Sequence, residues 1–186
     1  MDNHQPFLDQ LKYSAEKEGV SNQINIVQGD MCKLNYKPKS FNVIWSEGAI
    51  FIIGFEKGLR EWRRLLADKG YIVVSELSWL RADLPKEIRS FMEEGYLGYV
   101  DIKTIDENLE VAQKIGYNIV GSFVLPKKSW WDGYYAVKEA KMPLLKATHQ
   151  DDADALRFIA YEETEIAMFR QYSDYYGNAF CILQNT

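Results

Sequence analysis

Apolar positions recur along the chain at two spacings, and the switch between them lays out its elements. Phe7, Leu8, Leu11 and Ala15 stand at helical spacing and Gly19 stops the run, which predicts a first helix. INIVQ at 24–28 reads as a short strand running into Gly29 and Asp30. After the polar loop NYKPKS, FNVIW at 41–45 is a second strand, apolar almost throughout, as a strand covered on both faces is. Leu59, Trp62, Leu65 and Leu66 mark an amphipathic helix closed by Lys69 and Gly70, and YIVVSEL at 71–77 follows as a third buried strand. Pro85 opens a helix with Ile88, Phe91 and Met92 on one face. Thr104 and Glu107 have capping-box spacing ahead of Ile105, Leu109, Ala112 and Ile115, and Gly116 ends that helix. YNIVGSFVL at 117–125 is a fourth strand, 137–148 and 151–172 read as helices, and NAFCILQ at 178–184 is a final strand.

Strands joined through helices by short connections imply parallel pairing with crossover helices, an α/β layered fold. No repeat, low-complexity tract or linker interrupts the pattern. Residues 1–186 read as a single domain, with a helical insertion at 126–175 ahead of the last strand.

Composition narrows the function classes. The net charge of -5 argues against a nucleic-acid surface, which needs a basic face. Two cysteines, Cys32 and Cys181, make no disulfide framework; they read as buried thiols in a reducing compartment, and no spacing with His4 or His149 suits a metal. No apolar run has the length of a membrane span and the N-terminus lacks a signal-peptide pattern, so a cytoplasmic protein with no membrane partner is expected.

Ligands of open parallel sheets sit at the carboxyl ends of the strands. There the sequence places Gly29, Asp30 and Met31, then Ser46, Glu47, Gly48 and Ala49, then Glu76 and Trp79, then Pro126 with Trp130, Trp131, Tyr134 and Tyr135. A carboxylate, apolar neighbours and polar turns on one rim could hold an adenosine-like ligand. Taken singly, each has an ordinary reading: Asp30 as a solvated turn residue, Glu47 as a helix cap, Trp45 and Trp62 as core. The aromatic cluster reads equally as packing of the inserted helices, and Glu162, Glu163 and Glu165 as a helix surface.

Three stretches, INIVQGDMCKL, SFNVIWSEGAIFIIGFEKGLREWRRLLADKGYIVVSE and YYGNAFCILQ, together resemble the class I S-adenosylmethionine-dependent methyltransferases, nearest the small-molecule enzymes similar to those of ubiquinone and menaquinone biosynthesis. The resemblance implies a Rossmann-like sheet, mostly parallel with an antiparallel last strand, and methyl transfer from S-adenosylmethionine to a small-molecule acceptor. It also implies roles by position. Asp30 matches the acid at the adenine amino group, Met31 the residue bordering adenine, Asp2 the acid that grips the ribose, and Ser46 with Glu47 the turn facing the methionine end. Phe51, Trp79, Trp130, Tyr134 and Tyr135 become acceptor-pocket candidates, Glu47 a candidate base and Tyr134 a residue that orients the acceptor.

The family's first two strands and Gly-x-Gly-x-Gly loop have no counterpart in this sequence. The resemblance is therefore to an N-terminally truncated member, and weak or absent cofactor binding is expected of this chain alone. The strands at 24–28 and 41–45 are expected either to pair directly or to recruit a second copy into a homodimer through their edges. The alternative function is a non-catalytic interaction or regulatory module.

Overall fold

A computed structural model describes residues 1–95 and 102–186. Its elements are α1 (Gln5–Lys17), β1 (Phe41–Ser46), α2 (Phe55–Arg63), β2 (Leu66–Trp79), α3 (Lys86–Gly95), α4 (Ile105–Ile115), β3 (Tyr117–Val124), α5 (Lys127–Trp130), α6 (Ala136–Thr148), α7 (Ala153–Tyr172) and β4 (Tyr176–Asn185). The sheet order is β1-β2-β4-β3. β1 runs parallel to β2, while β4 is antiparallel to both β2 and β3. Every expected helix is present, but the one expected to run through Leu66 and close at Lys69 and Gly70 ends at Arg63, and Leu66–Gly70 instead begins β2, where the chain finds β1 and β4 to pair with. The four strands expected from residue 41 onward form one mixed sheet, its closing strand antiparallel.

The expected strand at 24–28 is not formed. That segment makes a single parallel bridge, Gln28 to Asp2. A strand needs a ladder partner for its backbone groups, and among the described residues this segment bridges only to Asp2 in the four residues that precede α1. It does not pair with β1. Among the described residues β1 bonds β2 alone and forms the sheet edge. Trp45, read as core, is 62% exposed there, and Val43 is 52% exposed. Both alternate onto the face opposite α2, which the described residues leave open at the edge strand.

The buried side of the sheet is filled by α2 and α4, with Leu59, Trp62, Leu65, Ile72, Val74, Ala112 and Leu183 in one core. The capping box at the start of α4 is made: the Glu107 amide donates to Thr104 Oγ1 and the Thr104 amide to Glu107 Oε2. Gly116 closes the helix at φ 105°, where an added Cβ would lie 2.7 Å from Arg63 Nη1. That guanidinium donates to the carbonyls of Ile115 (2.7 Å) and Gly116 (3.1 Å) and joins α2 to the end of α4. Gly116→Ala is accordingly expected to cost about 2 kcal/mol in denaturant unfolding, from a left-handed backbone and a displaced arginine.

A second core lies among the helices between β3 and β4. Lys127–Trp130, a π turn at Trp131–Tyr135 and Ala136–Thr148 run on as one rod, longer than the helix expected from 137. Its aromatics stack on α7: Tyr135 on Phe169 at 4.3 Å between centroids and Trp130 edge-on to Phe169 at 5.1 Å. Ile88, Met92, Ile166 and Tyr176 complete this core.

Of the two thiols, Cys181 is 1% exposed, and burial, with Glu76 nearby, pushes it up to about 11. Cys32 is only partly buried, contrary to its reading as a core thiol. Iodoacetamide at about pH 8 should alkylate Cys32 in the native protein and Cys181 only on unfolding, as read by intact mass.

Candidate functional site

An open cleft of about 400 Å³ lies at the carboxyl end of β1, and Asp2, Asp30, Met31, Ser46 and Glu47 all line it. Local backbone chemistry brings these distant residues together. The Asp2 amide donates to Val27 O at 3.2 Å and the Gly29 amide to Asp2 O at 3.0 Å, which lays the N-terminal residues against the Gly29–Asp30 turn. The Asp2 carboxylate accepts from the His4 amide at 2.7 Å, and Asp30 Oδ1 accepts from the Cys32 amide at 2.8 Å, so both acids are held by their own turns. Met31 is anchored through its carbonyl, which accepts from the buried indole of Trp62 at 3.3 Å.

Ser46 is the last residue of β1. Its Oγ is buried and has no hydrogen-bond partner among the described residues. A buried hydroxyl without a partner is costly, and here it belongs to the wall of a cleft. Glu47 Oε1 accepts from the exposed indole of Trp45 at 2.6 Å. Gly48 then turns at φ 53°, its amide donating to Ser75 Oγ of β2 at 2.8 Å, which fixes the loop to the sheet. The result is a concave rim with three carboxylates and one unsatisfied hydroxyl, suited to a ligand rich in donors.

The acceptor-pocket candidates are divided between two places. Phe51 lines a separate crevice of about 370 Å³ between α2 and α4, together with Phe55, Glu76, Leu77 and Asn108. Trp79, Trp130 and Tyr135 pack in the core of the helical layer, Tyr135 with no exposed surface at all. Tyr134 is 43% exposed and donates nothing to that core; its hydroxyl accepts from Lys138 Nζ at 2.9 Å.

Lys138 also meets Glu165 at 2.9 Å and Glu162, and the Tyr135 hydroxyl donates to Glu165. Glu162 and Glu165, expected on a helix surface, are 8% and 5% exposed, whereas Glu163 pairs with Lys146. Burial alone would lower the Lys138 ammonium; its bonds to Glu162, Tyr134 and Glu165 outweigh that and raise it. In the sequence the cluster shows only as carboxylates at i and i+3 on α7; its lysine arrives from α6. Glu76 and Asn108, which enter the crevice from β2 and α4, carry no sequence signature beyond Glu76 standing near a strand end.

Comparisons with known proteins bear on this arrangement. Residues 1–74 match the family described as methyltransferase domain. A sterol 24-C-methyltransferase of Gibberella zeae is 30% identical over 114 residues, 57% of this chain and 29% of that protein. The chain spans about a third of the length of the curated relatives it matches. A SAM-dependent methyltransferase from Thiobacillus denitrificans, solved with S-adenosyl-L-homocysteine, superposes with a TM-score of 0.80 at 22% identity, over 99% of this chain and 73% of that one. One from Geobacter sulfurreducens, in complex with the same compound, gives 0.78 at 22%, over 97% and 72%. Residues 1–74 thus resemble a methyltransferase domain, and the chain has the fold of these S-adenosylmethionine-dependent methyltransferases.

Proposed function

We propose that this chain takes part in methyl transfer from S-adenosylmethionine to a small-molecule acceptor, and that the cleft at the end of β1 is the cofactor side of that site. One observation carries the reading: Asp2, Asp30, Met31, Ser46 and Glu47, far apart in sequence, share one concave wall at the carboxyl end of β1, a strand that runs parallel to β2. Asp30 accepts from the adenine amino group, the Met31 side chain lies against the base, and Asp2 accepts from the ribose hydroxyls. Ser46 Oγ and Glu47 face the methionine end, where a cationic sulfonium and an ammonium suit a carboxylate.

The cofactor supplies the reactive methyl group. The chain's own residues bind, orient and exclude water, which is where most of the acceleration of a displacement comes from. Glu47 is the acid placed to take an acceptor proton, and its bond from Trp45 sets its orientation. The helical layer at 126–175 closes over the acceptor, with Tyr134 presenting a hydroxyl at its surface. The bare edge of β1, with Trp45 and Val43 beside it, is the surface through which a second copy would associate.

Ultraviolet cross-linking of methyl-labelled S-adenosylmethionine, followed by peptide mapping, tests the cofactor assignment. Label is expected in peptides containing Gly29–Cys32 or Trp45–Ala49. Label confined to the helical layer would contradict it.

A further inference from the structure

Ile44, Trp45 and Ser46, consecutive residues of β1, all line the cleft at the end of that strand. Successive side chains of a strand point to opposite faces of its sheet. A cleft that meets all three therefore runs along the free edge of β1, whose other edge pairs with β2. Trp45 is thus part of the cleft wall and not only an exposed residue of a sheet edge. Its indole donates to Glu47 Oε1 at 2.6 Å, which holds the ring beside that carboxylate. The second tryptophan of the lining, Trp62, is buried, and its indole is bonded to the Met31 carbonyl.

The cleft is lined by the acids Asp2, Asp30 and Glu47 and, among the described residues, by no lysine, arginine or histidine. The hydrogen bonds these acids accept come from uncharged groups: the amides of His4 and Cys32 and the Trp45 indole. The cation carried by the lining residues is the α-amino group of Met1. A concave wall with this excess of negative charge raises the local concentration of cations. The acids do not stand alone. Ser46 is 9% exposed, and its Oγ is buried in the same wall without a hydrogen-bond partner, a polar atom left for a ligand. Indole is the best of the aromatic faces for a cation, and a carboxylate beside it acts on the same charge.

We propose that Trp45 is a specificity-determining residue of the cleft: its indole and the Glu47 carboxylate form a seat for an onium group, so that the cleft selects a sulfonium over a neutral thioether of the same shape. Placing that onium at the cofactor sulfur rests on the proposed function; selection of an onium by Trp45 does not. The selection has a consequence for turnover. When the methyl group leaves for the acceptor, the bonding electron pair stays on sulfur and the positive charge is gone. The spent cofactor is then held less tightly at this seat than the one that entered.

The test is a titration of the 15N-labelled protein with trimethylsulfonium chloride, and separately with tert-butanol as a neutral molecule of similar size. Sedimentation run alongside keeps self-association through the same edge from being read as binding. Trimethylsulfonium is expected to shift the Trp45 indole signal and the Ser46 and Glu47 amides saturably, and tert-butanol to leave them in place. Trp45→Leu, an exposed change whose fold the same spectrum checks, should weaken trimethylsulfonium about threefold. It should weaken S-adenosylmethionine by a similar factor and leave S-adenosylhomocysteine unchanged, whereas damage to the cleft would weaken both. Equal responses to the two small probes, equal effects of Trp45→Leu on the two adenosyl compounds, or shifts mapping elsewhere would each overturn the proposal. Trimethylsulfonium binding that depends on Trp45, with neither adenosyl compound acting at Gly29–Met31, removes the cofactor assignment and leaves the onium seat standing. Both adenosyl compounds acting there, with Trp45→Leu without effect on either, does the reverse.

Discussion

Replacing Lys138 with methionine should destabilise the protein by about 3 kcal/mol in urea unfolding, one of the largest effects expected of any single change here. The side chain is 20% exposed and lies between two carboxylates with side-chain exposures of 11% and 6%, so its removal strands two buried negative charges. Methionine keeps the length and the packing, which isolates the charge. Adding Glu162→Gln and Glu165→Gln to Lys138→Met should recover most of the loss, a non-additivity expected of a connected cluster. A penalty that persists in the triple variant would mean that Lys138 stabilises the layer by packing alone.

The other large effect concerns Asp30. Asp30→Asn is expected to raise the dissociation constant for S-adenosylhomocysteine roughly tenfold or more, the value of a hydrogen bond accepted by a charged group. Asparagine retains the oxygen that accepts from the Cys32 amide at 2.8 Å, so the turn should survive and unfolding should be little changed. It replaces the second carboxylate oxygen with a donor facing the proposed position of the adenine amino group. Isothermal titration of the two proteins at matched concentrations measures the difference. Equal affinities would remove Asp30 from the adenine site.

The fold was legible wherever a local signal and the tertiary role agreed. Thr104 and Glu107 announce a cap and form one; Gly116 announces a stop and adopts a left-handed conformation. The apolar runs at 41–45 and 71–77 become paired strands because each lies beside another. INIVQ at 24–28 has the same composition but only the residues around Asp2 beside it, and a strand is a property of a pair rather than a segment. Trp45 was misplaced for a related reason. Hydrophobicity predicts burial only if the rest of the fold brings something to that face, and a sheet edge brings nothing.

The charged positions failed for another reason. Glu162, Glu163 and Glu165 look alike in sequence, and their separation into two buried acids and one surface ion pair depends on where Lys138 and Lys146 arrive from α6. Such pairing is set by helix–helix packing, which no local window contains. At the site, the turns around Asp30 and Ser46–Glu47 line one cleft at the carboxyl end of β1, although the segment ahead of Asp30 is not a strand of the sheet. Phe51 lines a crevice apart from the aromatic residues expected to share its pocket. Periodicity assigns Trp79, Trp130 and Tyr135 a buried environment without saying whether its centre is a ligand or Phe169.

A map of amide shift changes on titrating the 15N-labelled protein with S-adenosylhomocysteine to millimolar concentration examines the cofactor assignment most directly, since it detects weak binding as readily as strong. The largest changes are predicted at Gly29–Met31 and at Ser46–Gly48, together and with one saturation curve. Changes that leave those two turns untouched, or that affect them with different curves, would contradict the account.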